Sequence, residues 1–108
     1  MNELRFLPAV FDDAAEAARW YDEEGYPGLG DRFLADFYSH VAHVQRHGRS
    51  YMKVYKDFRR VLLRPFPYAL YYRYHHKLIV VSLVFHTSRN PSTLRRMLTK
   101  RRRIVVEE

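Results

Sequence analysis

Residues 66–91 read FPYALYYRYHHKLIVVSLVFHTSRNP. The segment contains two runs rich in aromatic and β-branched residues, Tyr68 to Tyr74 and Leu78 to Phe85. Such residues suit the pleated, half-buried surface of a sheet. Only a short polar joint at His75 and His76 separates the runs, so together they predict an antiparallel β-hairpin.

The pairing within this hairpin sorts its side chains between two faces of the sheet. Antiparallel partners keep a constant index sum, so a two-residue turn at His75 and His76 pairs Arg73 with Leu78, Tyr71 with Val80 and Ala69 with Ser82. Because successive side chains alternate in direction, one set is predicted to form the core: Leu70, Tyr72, Ile79, Val81, Leu83 and Phe85. The other set is predicted to share a partly open face: Tyr71, Arg73, Ser82, Val84 and His86.

The residues just before the hairpin predict one more strand of the same sheet. From Phe58 onwards the pattern has the period of a strand, since Arg60, Leu62 and Arg64 alternate with Val61 and Leu63, which is typical of a strand with one buried face. If Val61 and Leu63 point into the core, Arg60 and Arg64 join the open face.

Two amphipathic stripes precede these strands and predict a helical hairpin. The first helix is predicted to begin with Asp12 or Asp13 as its cap and to end near Glu24. The second is predicted to end near Gly48, where a left-handed cap is expected. Its stripe contains Phe33, Leu34, Phe37, Tyr38, Val41 and Val44.

The two ends of the chain complete the predicted fold. Leu4 to Val10 predicts an edge strand, because Pro8 cannot donate a hydrogen bond to a neighbouring strand. Asn90 and Pro91 are typical of a helix start, and a short apolar stripe follows them: Leu94, Met97 and Leu98.

These elements predict an α+β fold with an N-terminal strand, a helical hairpin, a three-stranded antiparallel meander in one sheet and a short C-terminal helix. With 108 residues, one domain over 1–108 is expected. Its core is predicted at about 4–98, with a basic C-terminal tail at 99–108. Residues 104–106 are apolar, and their sequence is compatible with either a late strand or a frayed end.

The composition favours a polyanionic partner and a reducing compartment. The chain carries 19 Lys and Arg against 12 Asp and Glu, a formal net charge of +7, which is typical of proteins that bind nucleic acid or an acidic protein. It has no cysteine, which excludes disulfides and thiolate metal sites and favours the cytoplasm. No stretch is apolar enough to span a bilayer, so no membrane partner is expected.

A histidine cluster is the one candidate for a metal site. His40, His43 and His47 are spaced so that they share one face of the second helix, and imidazoles of this kind bind zinc. Only Asp36 has a spacing that would complete the ligand set. We therefore expect a solvated helix face, with neither a metal nor another cofactor.

Three motifs lie at the boundaries of the predicted elements: PGLGDRF at 27–33, FPYALYYR at 66–73 and VFHTSRNP at 84–91. In order and spacing they resemble the corresponding segments of toxins of the RelE/ParE superfamily. The resemblance covers about residues 4–98.

This resemblance implies the toxin of a type II toxin–antitoxin pair, of the plasmid stabilization type, which a cognate acidic antitoxin neutralises. RelE-like members cleave messenger RNA on the ribosome, whereas ParE-like members inhibit DNA gyrase. A homodimer and a hetero-oligomer with the antitoxin both stay open as assemblies.

The choice between these branches depends on candidate site residues. A nuclease would need a base, an acid and cations at the phosphate, and the candidates are His86, Arg73, Arg89, Arg64 and Tyr71. RelE-like nucleases carry a catalytic tyrosine or histidine near the C-terminus, but residues 92–108 contain neither.

We therefore predict a ParE-like toxin that acts by binding, more a non-enzymatic inhibitor than an endoribonuclease. The alternatives are a RelE-like ribosome-dependent endoribonuclease and a non-toxic basic nucleic-acid-binding domain. The predicted target- or antitoxin-binding residues are Arg60, Arg64, Tyr71, Arg73, Ser82, His86, Arg89, Arg95 and Arg96.

Overall fold

The computed structural model describes residues 1–104, which form a five-stranded sheet with helices on both of its faces. The elements, in chain order, are β1 (Glu3–Phe6), α1 (Ala9–Glu24), α2 (Leu29–His47), β2 (Lys53–Tyr55), β3 (Phe58–Leu62), β4 (Tyr68–His75), β5 (Leu78–His86) and α3 (Pro91–Arg102). The α+β fold predicted from the sequence is confirmed. The short strand β2 extends the predicted three-stranded meander to four strands, and residues 105–108, which include most of the undecided terminal segment, lie outside the described part.

The sheet has the order β1-β5-β4-β3-β2, with β1 parallel to β5 and the other pairs antiparallel. β1 is an edge strand, as predicted, but it ends at Phe6. The prediction of a strand as far as Val10 was wrong, because Pro8 caps a helix that starts at Ala9 and buries Val10. Asp12 and Asp13 therefore lie inside α1 and do not cap it.

One face of the sheet packs against the α1–α2 hairpin. Its core contains Phe33, Phe37, Val41, Val44, Leu70, Tyr72, Ile79 and Val81. The hydroxyl of the fully buried Tyr72 donates a hydrogen bond of 2.5 Å to the carbonyl of Gly48. The predicted left-handed cap at Gly48 was wrong, because its φ is −56°. Glycine fits this position since a Cβ would approach Ile79 and Tyr74 to 3.0 Å.

The β4–β5 hairpin turns at His76 and Lys77, one residue later than predicted. Both residues have positive φ, 49° and 62°, as in the turn type whose twist matches the flanking strands. His75 therefore pairs with Leu78, and the predicted pairing of Arg73 with Leu78 was wrong.

A β-bulge in β5 changes which side chains face the helices. Tyr72 pairs with Val81 but Tyr71 pairs with Leu83, so Ser82 is an extra residue without a partner on β4. An extra residue reverses the direction of the side chains that follow it. The predicted placement of Leu83 in the helical-hairpin core was therefore wrong.

The face that was predicted to be open is covered by α3. Its side chains form a second core of Phe58, Ala69, Tyr71, Leu83, Phe85 and Leu98. Tyr71 is 3% exposed and Ser82 is fully buried, so the prediction that both lie on an accessible surface was wrong. The cause is the apolar side of α3, where Leu98 is buried and Leu94 and Met97 pack against this core. α3 continues to Arg102, into the segment predicted as a tail.

A buried ion pair joins α1, β5 and α3. β1 ends opposite Val81, so the edge of β5 beyond this point has no neighbouring strand. Asp13 accepts a hydrogen bond of 3.1 Å from the N–H of Val84, and Arg101 donates one of 3.0 Å to the carbonyl of Ser82. The guanidinium of Arg101 also donates two hydrogen bonds to the Asp13 carboxylate. The pair thus satisfies backbone groups at the free edge that burial would otherwise leave unpaired.

Replacing Arg101 by methionine should destabilise the fold strongly. The substitution leaves the Asp13 carboxylate, whose side chain is only 15% exposed, without its cation, and breaking a buried ion pair in this way typically costs about 3–5 kcal/mol. The free energy of unfolding, measured in urea, is expected to fall by that amount.

The neighbouring substitution Arg102→Met is the matched control. Arg102 also pairs with an aspartate, Asp57, at 2.9 Å, but this pair is exposed to solvent, where ion pairs contribute little. Equal losses of stability in the two variants would contradict the structural role assigned to Arg101.

A second prediction concerns the pH dependence of stability at Tyr72. Burial raises the pKa of Tyr72 to about 12, so above pH 10 the unfolded chain releases this proton while the folded chain retains it. Stability that Tyr72 provides is therefore complete below pH 10 and is lost as the pH rises towards 12.

Tyr72→Phe should cost about 1 kcal/mol near neutral pH, because one hydrogen bond is lost. Between pH 10 and 12 that difference from the parent chain should shrink and then change sign in denaturant melts, since the rise of the Tyr72 pKa from 10.0 to about 12 outweighs one hydrogen bond. Tyr38→Phe, at a half-exposed tyrosine of α2, should keep the parent's pH dependence. A constant difference between Tyr72→Phe and the parent would refute the assignment.

Candidate functional site

A groove of about 640 Å³ lies between α1, the end of β5 and α3. Its lining includes Asp13, Glu16, Trp20, Tyr68, His86, Ser88, Arg89, Met97 and Arg101. The bulge at Ser82 helps to form it, because the side chains beyond the bulge reverse direction and His86 comes to lie beside Tyr68. The groove therefore depends on the packing of α1 and α3 against the end of β5.

His86 lies at the C-terminal end of β5 and is partly buried in this groove. Its ring packs edge-on against Tyr68 with 5.0 Å between the ring centroids. The backbone N–H of Ser88 donates to its Nδ1 at 3.1 Å. With Nδ1 acting as an acceptor, the proton of the neutral ring is on Nε2. A ring in this tautomer has its free lone pair on Nδ1, which the Ser88 N–H already occupies, and this does not suit a general base.

Aromatic and basic side chains form the rim of the groove. Trp20, which is 55% exposed, packs edge-on against Tyr21 of the same helix. The guanidinium of the exposed Arg89 lies 4.3 Å from the ring centroid of Phe85, within the range of a cation–π interaction. The rim thus combines a planar aromatic surface with a positive charge held near it.

The groove wall carries both signs of charge. Asp13 and Arg101 neutralise each other, which leaves Glu16 of α1 and Arg89 as the other oppositely charged residues of the lining. Burial is the main cause that raises the pKa of Tyr68; the charge of Glu16 adds to the rise and Arg89 opposes it. The Tyr68 hydroxyl therefore stays protonated near neutral pH.

The structure brings together only two of the predicted nuclease residues, His86 and Arg89. Arg64 lines a separate depression beside β2 and β3, together with Arg60. Tyr71 is buried under α3. Arg73 lies 3.9 Å from Asp57 and 5.8 Å from the ring centroid of Phe58. The prediction that Tyr71, Arg73 and His86 share one open face was therefore wrong, and Arg64 does not join them.

The remaining predicted binding residues also divide between surfaces. Arg95 and Arg96 lie on the outer side of α3, in a depression that Tyr55 completes. Ser82 donates from its hydroxyl to the carbonyl of Val80 at 3.0 Å and is fully buried. A partner cannot touch Ser82 without unfolding the second core.

Sequence reasoning missed several residues of the groove. Trp20 had a detectable signal: it is the single tryptophan of the chain and it falls outside the apolar stripe of its helix. Asp13 was interpreted as a helix cap, and Arg101 as one of many basic residues near the C-terminus. Nothing local in the sequence indicates that these two residues form a pair.

Two of the α2 histidines, His40 and His43, lie within hydrogen-bond distance of protein groups that are not metal ligands. His43 Nδ1 lies 2.8 Å from the hydroxyl of Tyr51, and His40 Nδ1 lies 2.8 Å from the carbonyl of Asp36. Within residues 1–104, no three His, Cys, Asp or Glu side chains cluster as a metal ion would require. No helix in the same range is long and apolar enough to cross a membrane.

Comparison with known proteins identifies one family. The family model described as "ParE toxin of type II toxin-antitoxin system, parDE" matches residues 4–91, which include all three motifs that carry the resemblance. Among solved structures, a chain from "Chromosomal ParDE TA system from P. aeruginosa" is similar, with a TM-score of 0.73 and 15% sequence identity. The similarity covers 82% of this chain and 98% of that chain. No curated protein matches the sequence.

Proposed function

We propose that this chain, which belongs to the ParE toxin family of type II toxin–antitoxin systems, stops growth by binding a protein target such as DNA gyrase. A cognate acidic antitoxin would neutralise it by covering the binding surface. Both proposed partners act in the cytoplasm, which is therefore the proposed site of action.

The dispersal of the candidate nuclease residues is the observation that carries this proposal. Cleavage of RNA needs a base, an acid and a cation within reach of one phosphate. Tyr71 is buried, Arg73 is beside Asp57 and Arg64 lies in another depression. An inhibitor that acts by binding needs no such convergence.

The groove offers the features of a protein-binding surface. Tryptophan and arginine are enriched among the residues that contribute most to protein–protein affinity. Trp20 and Arg89 lie on its rim, and Tyr68 and Met97 add apolar surface inside. An extended or helical segment with one apolar side chain and one carboxylate would complement this arrangement.

The second candidate function is a ribosome-dependent endoribonuclease. One observation favours it: His86, Arg89 and Tyr68 do share the groove. Tyr68 and the Nε2 proton of His86 would then serve as acids, and Arg89 would contact the phosphate. The base would have to come from Glu16 or from the ribosome.

Two assays with the purified chain separate these functions. We expect loss of supercoiling in a gyrase reaction, and no discrete cuts when messenger RNA on translating ribosomes is mapped by primer extension. In cells, induction should arrest growth and co-expression of the antitoxin should restore it.

The variant His86→Ala makes this test specific. Gyrase inhibition should persist in the variant, because the proposed mechanism needs no proton transfer. Ribosomal cuts by the parent chain that disappear in His86→Ala would instead favour the endoribonuclease. Healthy growth at a high level of the folded chain would refute the toxin function altogether.

A separate prediction concerns the groove as the binding surface. Trp20→Ala should raise the concentration needed for half-maximal gyrase inhibition by about 30-fold, since truncating a tryptophan hot spot costs about 2 kcal/mol or more. Because Trp20 is the single tryptophan, the antitoxin should also shift its fluorescence to shorter wavelength on binding.

Tyr38→Ala is the matched control for the groove. Tyr38 is 50% exposed, close to the 55% of Trp20, but it lies on α2 and outside the groove. Its loss should leave both inhibition and antitoxin binding nearly unchanged. Equal effects of the two substitutions would place the binding surface elsewhere.

A further inference from the structure

The outer side of α3 carries a cluster of cations outside the groove. Arg95, Arg96, Lys100 and Arg103 line one depression together with Tyr55 and Thr99, and we call these six residues the α3 basic face. All four cations are exposed. The face lies beyond residue 91, where the family match ends, apart from Tyr55.

Ion pairs among the described residues, 1–104, do not account for these charges. α3 contains five basic residues and no acidic ones, and two of the five have partners: Arg101 pairs with Asp13 and Arg102 with Asp57. Burial acts to raise the pKa of Asp57, yet the hydrogen bond and charge of Arg102 keep it lowered. Asp57 is thus a fully engaged carboxylate, and within residues 1–104 none of the four cations of the basic face has an ion-pair partner.

The stability of α3 does not account for them either. Positive charge near a helix C-terminus is favourable, but Arg95 and Arg96 lie before the last turn. Arg96 and Lys100 are four residues apart, and like charges at this spacing destabilise a helix. The spacing of Arg96 and Lys100 thus does not stabilise the helix, and these charges are available to a polyanionic ligand.

We propose that the α3 basic face binds the phosphate backbone of duplex DNA, independently of base sequence. This goes beyond the proposed protein target and does not depend on it. From Arg95 to Arg103 the helix rises about 12 Å at 1.5 Å per residue. Four cations spread over this length can together neutralise about three to four phosphates of a duplex, which carries one charge about every 1.7 Å of its axis when both strands are counted.

The chemistry of the face favours duplex DNA over an acidic protein. Protein interfaces depend on apolar anchors at their centre, and no large apolar residue within α3 is exposed. Phosphate contacts need only cations and hydrogen-bond donors. The α3 basic face offers four cationic side chains, and the hydroxyl of Thr99 is a further hydrogen-bond donor.

The same chemistry favours a duplex over a single strand. Single strands bind mainly through bases stacked on aromatic rings. Tyr55 is the only aromatic residue of the face; its hydroxyl lies 3.2 Å from the Thr99 hydroxyl, and the Lys56 ammonium lies 5.6 Å from its ring centroid. The ring is thus occupied on one side and fixed at its end, which leaves no stacking platform.

The test is the salt dependence of binding between the purified chain and a short fluorescent DNA duplex of mixed sequence. With three to four phosphates neutralised, the logarithm of the association constant should fall with the logarithm of salt at a slope of about −3. Affinity should then drop about 60-fold between about 50 and 200 mM salt. The triple variant Arg95→Gln, Arg96→Gln, Lys100→Gln should lose nearly all of this slope.

A matched triple variant controls for net charge. Arg19→Gln, Arg32→Gln, Arg46→Gln removes the same three charges from exposed positions on α1 and α2, and it should keep the slope. Far-ultraviolet circular dichroism checks that both variants are folded. Equal weakening in the two variants would overturn the proposal, since binding would then follow net charge alone.

Competitors identify the ligand class. A single-stranded RNA of equal length and a polyglutamate peptide should each displace the duplex poorly. Displacement by either at concentrations similar to unlabelled duplex would overturn the assignment to duplex DNA, as would absence of binding at low salt. Growth arrest and gyrase inhibition are scored separately, so failure here leaves the proposed protein target unaffected.

Discussion

The ion pair between Asp13 and Arg101 holds the three layers of this molecule in register. It lies where β1 ends and the edge of β5 becomes free, and it bonds to the N–H of Val84 and the carbonyl of Ser82. Because Asp13 belongs to α1 and Arg101 to α3, one contact fixes both helices against the same strand edge. Partner and backbone hydrogen bonds together offset the cost of burying two charges.

The bulge at Ser82 determines which side chains of β5 face α3. It interrupts the alternation of β5, so that Leu83 and Phe85 turn towards α3 and form the second core with Tyr71. His86 turns the other way, against Tyr68, and becomes part of the groove. The bulge therefore explains both the burial of Tyr71 and the accessibility of His86. It separates these two residues, which a nuclease of the predicted type would have needed side by side.

The fold also separates two kinds of surface. The groove carries mixed charge and an exposed aromatic rim, which suits a protein segment with apolar anchors. Among residues 1–104 the cations of the α3 basic face have no ion-pair partner, and the face exposes little apolar area, which suits a phosphate backbone. Since the groove lining and the α3 basic face share no residue, partners of different chemistry would not compete for the same side chains.

The sequence by itself determined the described elements other than β2, their order and the family. Amphipathic stripes and aromatic strands are local signals, and they identified both helices of the hairpin, the strands β3 to β5 and the start of α3 at Asn90. Tertiary structure decided the turn at His76 and Lys77, the bulge at Ser82, the cover over Tyr71 and the partner of Arg101. Each of these depends on contacts between residues far apart in the chain, whereas a periodic pattern fixes only which side chains alternate. It cannot show where an extra residue reverses the alternation or which helix covers each face, and these two choices determined the site.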